Sequence, residues 1–405
     1  LRKADEMAEN GLATCLNPLN EPDELQNMLV LEALARIEGV GRQTLYKLLH
    51  HAGNPQALWH ADEAFLREHL PDKKREAFGR ARDAGVNPQW LETAKKLGVR
   101  LLACTDPRYP RLLREIHNPP AFLYVQGNVA ALGGKTVAVV GTRQSSEYGR
   151  QVTERLVGDL GAAQVTIVSG LAAGIDTEAH WAALRNGLPT VAVFGCGLDV
   201  IFPSSNRNLS QEIVAQGGAL ISEYPLGMSP TKYTFPQRNR IVAGLCHGLL
   251  VVEGDMKSGA LITAKLALEE GRTVFAVPGN IFNPGSQGPS YLLKSGAVQV
   301  SCAEDMLKEL HWWLEEEPVR PFSLWRETVP VPKKASSVPL TIPEGLSVEE
   351  RTVLQAIAYD PISVDDLQQT TGLPSAKISG SLTLLELDGL IVLLPGAKVC
   401  RKSIC

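Results

Sequence analysis

An α/β protein built on a doubly wound, mostly parallel sheet is the fold this 405-residue sequence predicts, and three observations predict it. Six short runs, at 136–140, 165–168, 190–194, 219–222, 248–252 and 273–277, are apolar on both faces. Strands of that kind lie in a sheet covered by helices on both sides. Segments of helical pattern separate them, as parallel connections require. The first run also stops at Gly141-Thr142-Arg143 and passes through a polar turn into an amphipathic helix, which is the strand–turn–helix opening of a Rossmann-like domain.

Taken in chain order, residues 1–26 mix acids and bases without an apolar run, so they read as a flexible N-terminus without a signal peptide. Residues 27–97 read as a helical domain of helix-hairpin-helix or SAM-like type. There an apolar helix precedes Gly39-Val40-Gly41 and another follows, with Leu45, Leu48 and Leu49 on one face. The hairpin leaves two roles open: a backbone-phosphate contact through Gly39, Gly41 and Arg42, or a protein-contact module. Residues 98–314 form the Rossmann-like domain, entered by strand-like runs at 99–103 and 121–125. Residues 315–345 are rich in proline and cannot pack a core, so they read as a linker.

The remainder, 346–405, predicts three helices and a hairpin, a winged-helix-like outline. A helix spans 348–358, Ser363 and Asp366 form a capping box for a second, and Ser375 caps a third that runs to Leu387. A hairpin around Pro395-Gly396 makes the wing. The third helix carries Lys377 against Glu386 and Asp388, whereas major-groove readers need bases and amides there. This favours a protein-interaction or regulatory role, with a weak phosphate contact through Arg401 and Lys402 left open.

Composition narrows the function. Forty Lys plus Arg against 44 Asp plus Glu give a net charge of −4, so any nucleic-acid site must be a local patch in a cleft. No run approaches the roughly 20 apolar residues of a spanning helix. The seven cysteines are dispersed without a C-x-x-C pair, which reads as reduced thiols of a cytoplasmic protein with no zinc site. The eight histidines form no ligand-like pairs, and Asp176 with His180, one helical turn apart, reads as a packed hydrogen bond. No acidic cluster suits a nuclease metal, and neither cofactor nor metal is expected.

In an open α/β sheet, ligands bind at the edge shared by the carboxyl ends of the strands. The candidates there are Gly141, Thr142 and Arg143, Ser169 and Gly170, Gly195-Cys196-Gly197, Glu223, Glu253 and Pro278-Gly279-Asn280. A strand that stops at glycine before a helix exposes N–H groups that attract an anion, and Arg143 adds a cation. The spacing is not that of a dinucleotide fingerprint, because no glycine follows Gly141 until Gly149, and no Walker sequence is present. Two loops add charge. In "PTKYTFPQRNR", Lys232, Arg238 and Arg240 interleave with Tyr233 and Phe235, and in "EGDMKSGALITA", Ser258-Gly259 opens a further helix. Bases among aromatics suit single-stranded nucleic acid, whose unstacked bases lie on rings at roughly 1–3 kcal/mol each. Read alone, the first loop is equally a helix start with Phe235 buried.

The stretches "AVVGTR", "VSGLAAGIDTEAH", "VFGCGLDVIFP", "SEYPLG", "FPQRNRIVAGL", "VVEGDMKSGALITAKLALEEGR" and "AVPGNIF" occur in the order found in the bacterial DNA-processing protein A (Smf) family, which residues 99–300 closely resemble. The resemblance implies a Rossmann-like domain that binds single-stranded DNA without cutting it. It implies a homodimer that loads the RecA recombinase during natural transformation, with single-strand-binding protein as a further partner. It places Arg143, Lys232 and Phe235 in the DNA pocket, with Arg238, Asn239 and Arg240 beside them. The dimer contact maps to about 290–300, including Tyr291, Leu292 and Leu293. "SQGPSYLLKSGA" and Gln299 depart from the usual pattern there. A rival resemblance is to nucleoside-phosphate phosphoribohydrolases of the lysine decarboxylase-like group. Their P-G-G-x-G-T-x-x-E motif is replaced here by "EGDMKSGALITA". A third reading, a scaffold with a vestigial cleft, predicts no oligonucleotide binding even at low salt.

Overall fold

The computed structural model describes residues 22–312, 346–357, 362–388, 390–394 and 398–401. They fall into two compact units, one carried by 22–312 and the other by the described residues from 346 onward. The expected linker and most of the expected flexible N-terminus lie outside the described residues. The first helix, Pro22–Ala35, begins inside the stretch expected to be flexible, because Leu31 and Leu34 anchor it in the core.

A nine-stranded sheet organises the larger unit. Its strands are β1 (Val99–Ala103), β2 (Phe122–Gly127), β3 (Thr136–Val140), β4 (Thr166–Ser169), β5 (Thr190–Phe194), β6 (Ala219–Ser222), β7 (Gly248–Val251), β8 (Thr273–Ala276) and β9 (Val298–Gln299). The order is β1-β2-β6-β5-β4-β3-β7-β8-β9. From β6 to β9 all pairs are parallel, while β1 and β2 join antiparallel at one side. β9, two residues paired with Phe275 and Ala276, is too short to leave a pattern and is absent from the sequence reading.

Alternation along β3 shows why both faces are apolar. Val137 and Val139 face one core with Ile167, Leu250 and Phe275, whereas Ala138 and Val140 face another with Val168, Leu249 and Val251. Each fully buried valine contributes about 1.5–3 kcal/mol, so neither face tolerates water. The second core continues without a break into the helical residues, including Met28, Leu31, Leu45 and Phe78. The N-terminal helices therefore share a core with the sheet.

Topology makes the cleft. From β3 the chain steps outward through β4, β5 and β6, then crosses to the other side of β3 to lay down β7, β8 and β9. The crevice at the carboxyl ends of β3 and β7 is the switch point where such sheets take ligands.

The smaller unit packs three helices, Val348–Ala356, Val364–Thr371 and Ser375–Leu387, around Val353, Leu367, Ile378 and Leu385. Ile391–Leu394 and Lys398–Arg401 pair antiparallel, and Ile362–Ser363 adds a third strand. The hairpin tip and Lys402 lie outside the described residues. Ser375 does not cap its helix, since Pro374 stands at that position and the Ser375 hydroxyl donates to Gln368. Lys377 is ion-paired with Glu349 at 2.9 Å within the unit.

Candidate functional site

A cleft of about 630 Å³ lies over the carboxyl ends of β3, β4 and β7. Gly141, Thr142 and Arg143 form its floor on one side, and Gly170 lies below. Lys232, Phe235 and Asn239 come from the segment that enters helix Thr234–Gly244. Lys257, Ser258 and Gly259 come from the start of helix Gly259–Glu269. The turn after β3 packs so closely that a Cβ on Gly141 would sit 2.5 Å from Ile175. Gly174, at φ +81°, would place one 2.2 Å from the Thr142 carbonyl.

Three cations reach this cleft free of acidic partners: Arg143, Lys232 and Lys257, all exposed and none in an ion pair among the described residues. Rings alternate with them. The Arg143 guanidinium stands 5.6 Å from the centroid of Phe235, and the Lys232 ammonium 5.1 Å from that of Tyr233. Phe235 is half-buried against Gly195, where a Cβ would approach its ring to 3.2 Å. Phe202 meets Phe235 at 5.6 Å between centroids and remains 47 % exposed. Phe202 and Lys257 are absent from the sequence-based candidates. Phe202 ends an apolar run that reads as core, although "VFGCGLDVIFP" places it just beyond the carboxyl end of β5. At the other wall, Ser258 caps its helix by accepting from the Ala260 N–H, while Gly259 stays open. Such a surface can hold phosphates on its cations and an unstacked base on its rings.

The first anion seat is different from expectation. Helix Glu147–Asp159 follows the β3 turn, but its N-terminus faces a side chain of the protein itself. Ser146, the N-cap, donates its main-chain N–H at 3.0 Å to the Glu253 carboxylate and its hydroxyl to the same group. The Ser146 oxygen also accepts from the Gly149 N–H. Glu253, from the end of β7, is 2 % exposed.

Several of the expected contact residues are engaged within the protein itself. Arg240 forms a two-oxygen bridge to Glu223 at 2.5 and 2.6 Å and also donates to the Asn118 carbonyl. Arg42 pairs with the same Glu223 at 2.9 Å and lies over the Tyr224 ring, so it ties the helical hairpin to the sheet. Gly39 (φ +76°) makes the hairpin turn, and Gly41 leaves the next helix without a side-chain cap. Arg238 borders the cleft, yet its buried guanidinium donates to the carbonyls of Gly170 and Val193. Burial pushes its pKa down, with Asp176 opposing. Ser169 is fully buried and donates to the Val139 carbonyl. Of the expected dimer residues, Tyr291 is exposed, Leu293 is half-buried and Leu292 belongs to the core.

Asp176 and His180 do not bond to each other. The Asp176 carboxylate, raised in pKa by burial, accepts from the Gly170 and Ala172 N–H groups and so shapes the loop after β4. Thr190 donates to the Ile167 carbonyl, which leaves its oxygen to accept from His180 Nδ1 at 2.7 Å. Burial and the nearby Arg238 charge push the His180 pKa down to about 3, so the ring is neutral at pH 7.

The model of the family described as DNA recombination-mediator protein A matches residues 100–311, just over half of the chain. This chain belongs to that family. A second model, the DprA winged helix domain, matches residues 338–397. Protein Smf of Escherichia coli is 38 % identical over 319 residues, covering 78 % of this chain and 80 % of that protein. Protein Smf of Synechocystis is 34 % identical over 395 residues, covering 91 % and 98 %. Among solved structures, DNA processing protein A of Streptococcus pneumoniae superposes with a TM-score of 0.57 at 36 % identity, covering 69 % of this chain and 96 % of that one. Family membership thus extends beyond the sheet to the winged-helix region.

Proposed function

We propose that this family member binds single-stranded DNA in the cleft and does not cut it. The observation that carries the reading is the grouping of Arg143, Lys232 and Lys257 with Phe202 and Phe235 around one crevice. Duplex DNA presents no unstacked base to such rings. Binding without cleavage is supported by the engagement of the carboxylates near the cleft. Glu253 holds Ser146, Asp176 holds the loop after β4, and Asp255 accepts from the Lys257 N–H. The segment corresponding to the phosphoribohydrolase motif reads "EGDMKSGALITA", without its closing glutamate.

Membership in a recombination-mediator family supports a wider assignment. The bound strand is handed to the RecA recombinase during uptake of DNA, in the cytoplasm, by a homodimer that meets through the region of Tyr291, with single-strand-binding protein as an additional partner. Among the described residues no helix is long and apolar enough to cross a membrane.

Fluorescence anisotropy with matched single- and double-stranded oligonucleotides across a salt series tests the reading. Three phosphate contacts on a single strand predict a slope of log K against log salt of about −2. Equal affinity for the two forms, or no binding at low salt, overturns it.

A further inference from the structure

Two of the helix N-termini at the carboxyl edge of the sheet are treated in opposite ways. Helix Gly259–Glu269 opens into the cleft beside Lys257. Helix Glu147–Asp159 begins directly after the β3 turn, where open α/β sheets commonly seat a ligand phosphate on free N–H groups. Here the Glu253 carboxylate accepts both the N–H and the hydroxyl of Ser146. The Glu253 main-chain oxygen accepts the Thr142 N–H at 2.7 Å, which fixes the turn against the end of β7. Gly149 has no side chain to spare for this packing, since a Cβ there would lie 2.2 Å from Glu253 Oε2. The Ser146 donors at this helix start are therefore already bound to a resident carboxylate.

We propose that Glu253 is a specificity-determining residue, an internal anion that occupies the phosphate seat of the first β–α turn and excludes the phosphomonoester of a free nucleotide. The cleft is thereby left to recognise the phosphodiesters of a strand through side-chain cations. This inference rests on the reading of the cleft as a strand-binding site. A carboxylate and a phosphate repel each other when they share one set of donors. At the neighbouring seat Ser258 caps the helix, and the Asp255 carboxylate is exposed and accepts the Lys257 N–H instead of the helix's own first donors, so the two helix starts differ in what fills them.

Glu253→Ala empties the seat while keeping Ser146 in place. Thermal unfolding and calorimetric titration are followed with inorganic phosphate, AMP and formate, the last of which returns the missing carboxylate. The wild-type chain is expected to show no saturable response to phosphate or AMP. Glu253→Ala is expected to gain saturable stabilisation by formate and phosphate, with phosphate at least tenfold tighter than in the wild type and Tm rising with ligand concentration. A folded Glu253→Ala that ignores both anions overturns the proposal, as does wild-type protein that binds AMP as tightly as the variant. Should the alanine variant emerge unfolded, its refolding in formate or phosphate relative to chloride decides in the same direction, and failure in both counts against the proposal. Anisotropy with a thymidine oligonucleotide, run in parallel, separates the two ideas. Loss of strand binding in every form ends the strand reading, whereas an unchanged anion response ends only the role of Glu253.

Discussion

The turn after β3 and helix Thr234–Gly244 both bring arginines to one sheet edge, yet the fold uses them in contrasting ways. Arg143 is exposed, has no acidic partner among the described residues, and stands beside the Phe235 ring. Arg240 is 9 % exposed, bridged to Glu223 and bonded to a carbonyl. The difference is one of desolvation. A cation already stripped of water and paired has nothing left to offer a phosphate, and removing it leaves a buried carboxylate uncompensated. A cation in water gives up little on binding and contributes nothing to the fold. Proximity to the edge does not make an arginine functional.

The sharpest way to break this contrast is Arg240→Ala. It removes the two-oxygen partner of Glu223 and leaves Arg42 as its remaining cation among the described residues, so it is expected to cost about 2–3 kcal/mol of stability. Oligonucleotide affinity of the folded fraction should stay within a few-fold. Denaturant unfolding paired with anisotropy reads both quantities, and strong loss of affinity without loss of stability would reverse the assignment.

The rings come next in size. Phe235→Ala and Phe202→Ala should each weaken single-strand binding by roughly 1–3 kcal/mol if bases lie on them, while Phe235→Tyr keeps most of it. The loss should persist at moderate salt, because no ionic contact is removed. Phe202 is the cleaner probe, being more exposed and so less able to disturb the core when truncated.

Acid sensitivity gives a third comparison, between charges buried neutral and charges paired. The folded pKa of His180, about 3, lies below the unfolded value near 6.5, so the unfolded state binds the extra proton between them. Stability from this group is full above pH 6.5 and declines as pH falls toward 3, by about 2 kcal/mol on reaching pH 5. Asp176, whose pKa is raised by burial, acts in the opposite direction as pH falls through its raised pKa. His180→Gln should therefore flatten the stability profile between pH 6.5 and 5. An unchanged slope in the variant would show that another group carries it.

Arg143→Ala is the smallest change: about tenfold in affinity, or about 1.4 kcal/mol, with an unaltered unfolding midpoint and a salt slope less steep by roughly 0.7. A lowered midpoint would mean that Arg143, like Arg240, belongs to the fold.

Local pattern made most of the architecture legible. The runs through β3 to β8 are apolar on both faces, and their residues alternate between two cores, so strand identity follows from composition alone. β9 was not legible, because two residues carry no period. At the site, Gly141, Arg143, Lys232 and Phe235 were found because glycine-ended strands and interleaved bases are local signals. Phe202 was missed because an aromatic after an apolar run looks like core until its exposure is known.

The sequence by itself therefore determined the elements, the family and the edge at which charge collects. Tertiary structure decided which charges remain available. Arg42 meets Glu223 across 181 residues, and Ser146 meets Glu253 across 107. Neither pairing leaves a local trace. Burial and pairing depend on which distant segments the strand order brings together, and with them the desolvation that separates a structural cation from a binding one.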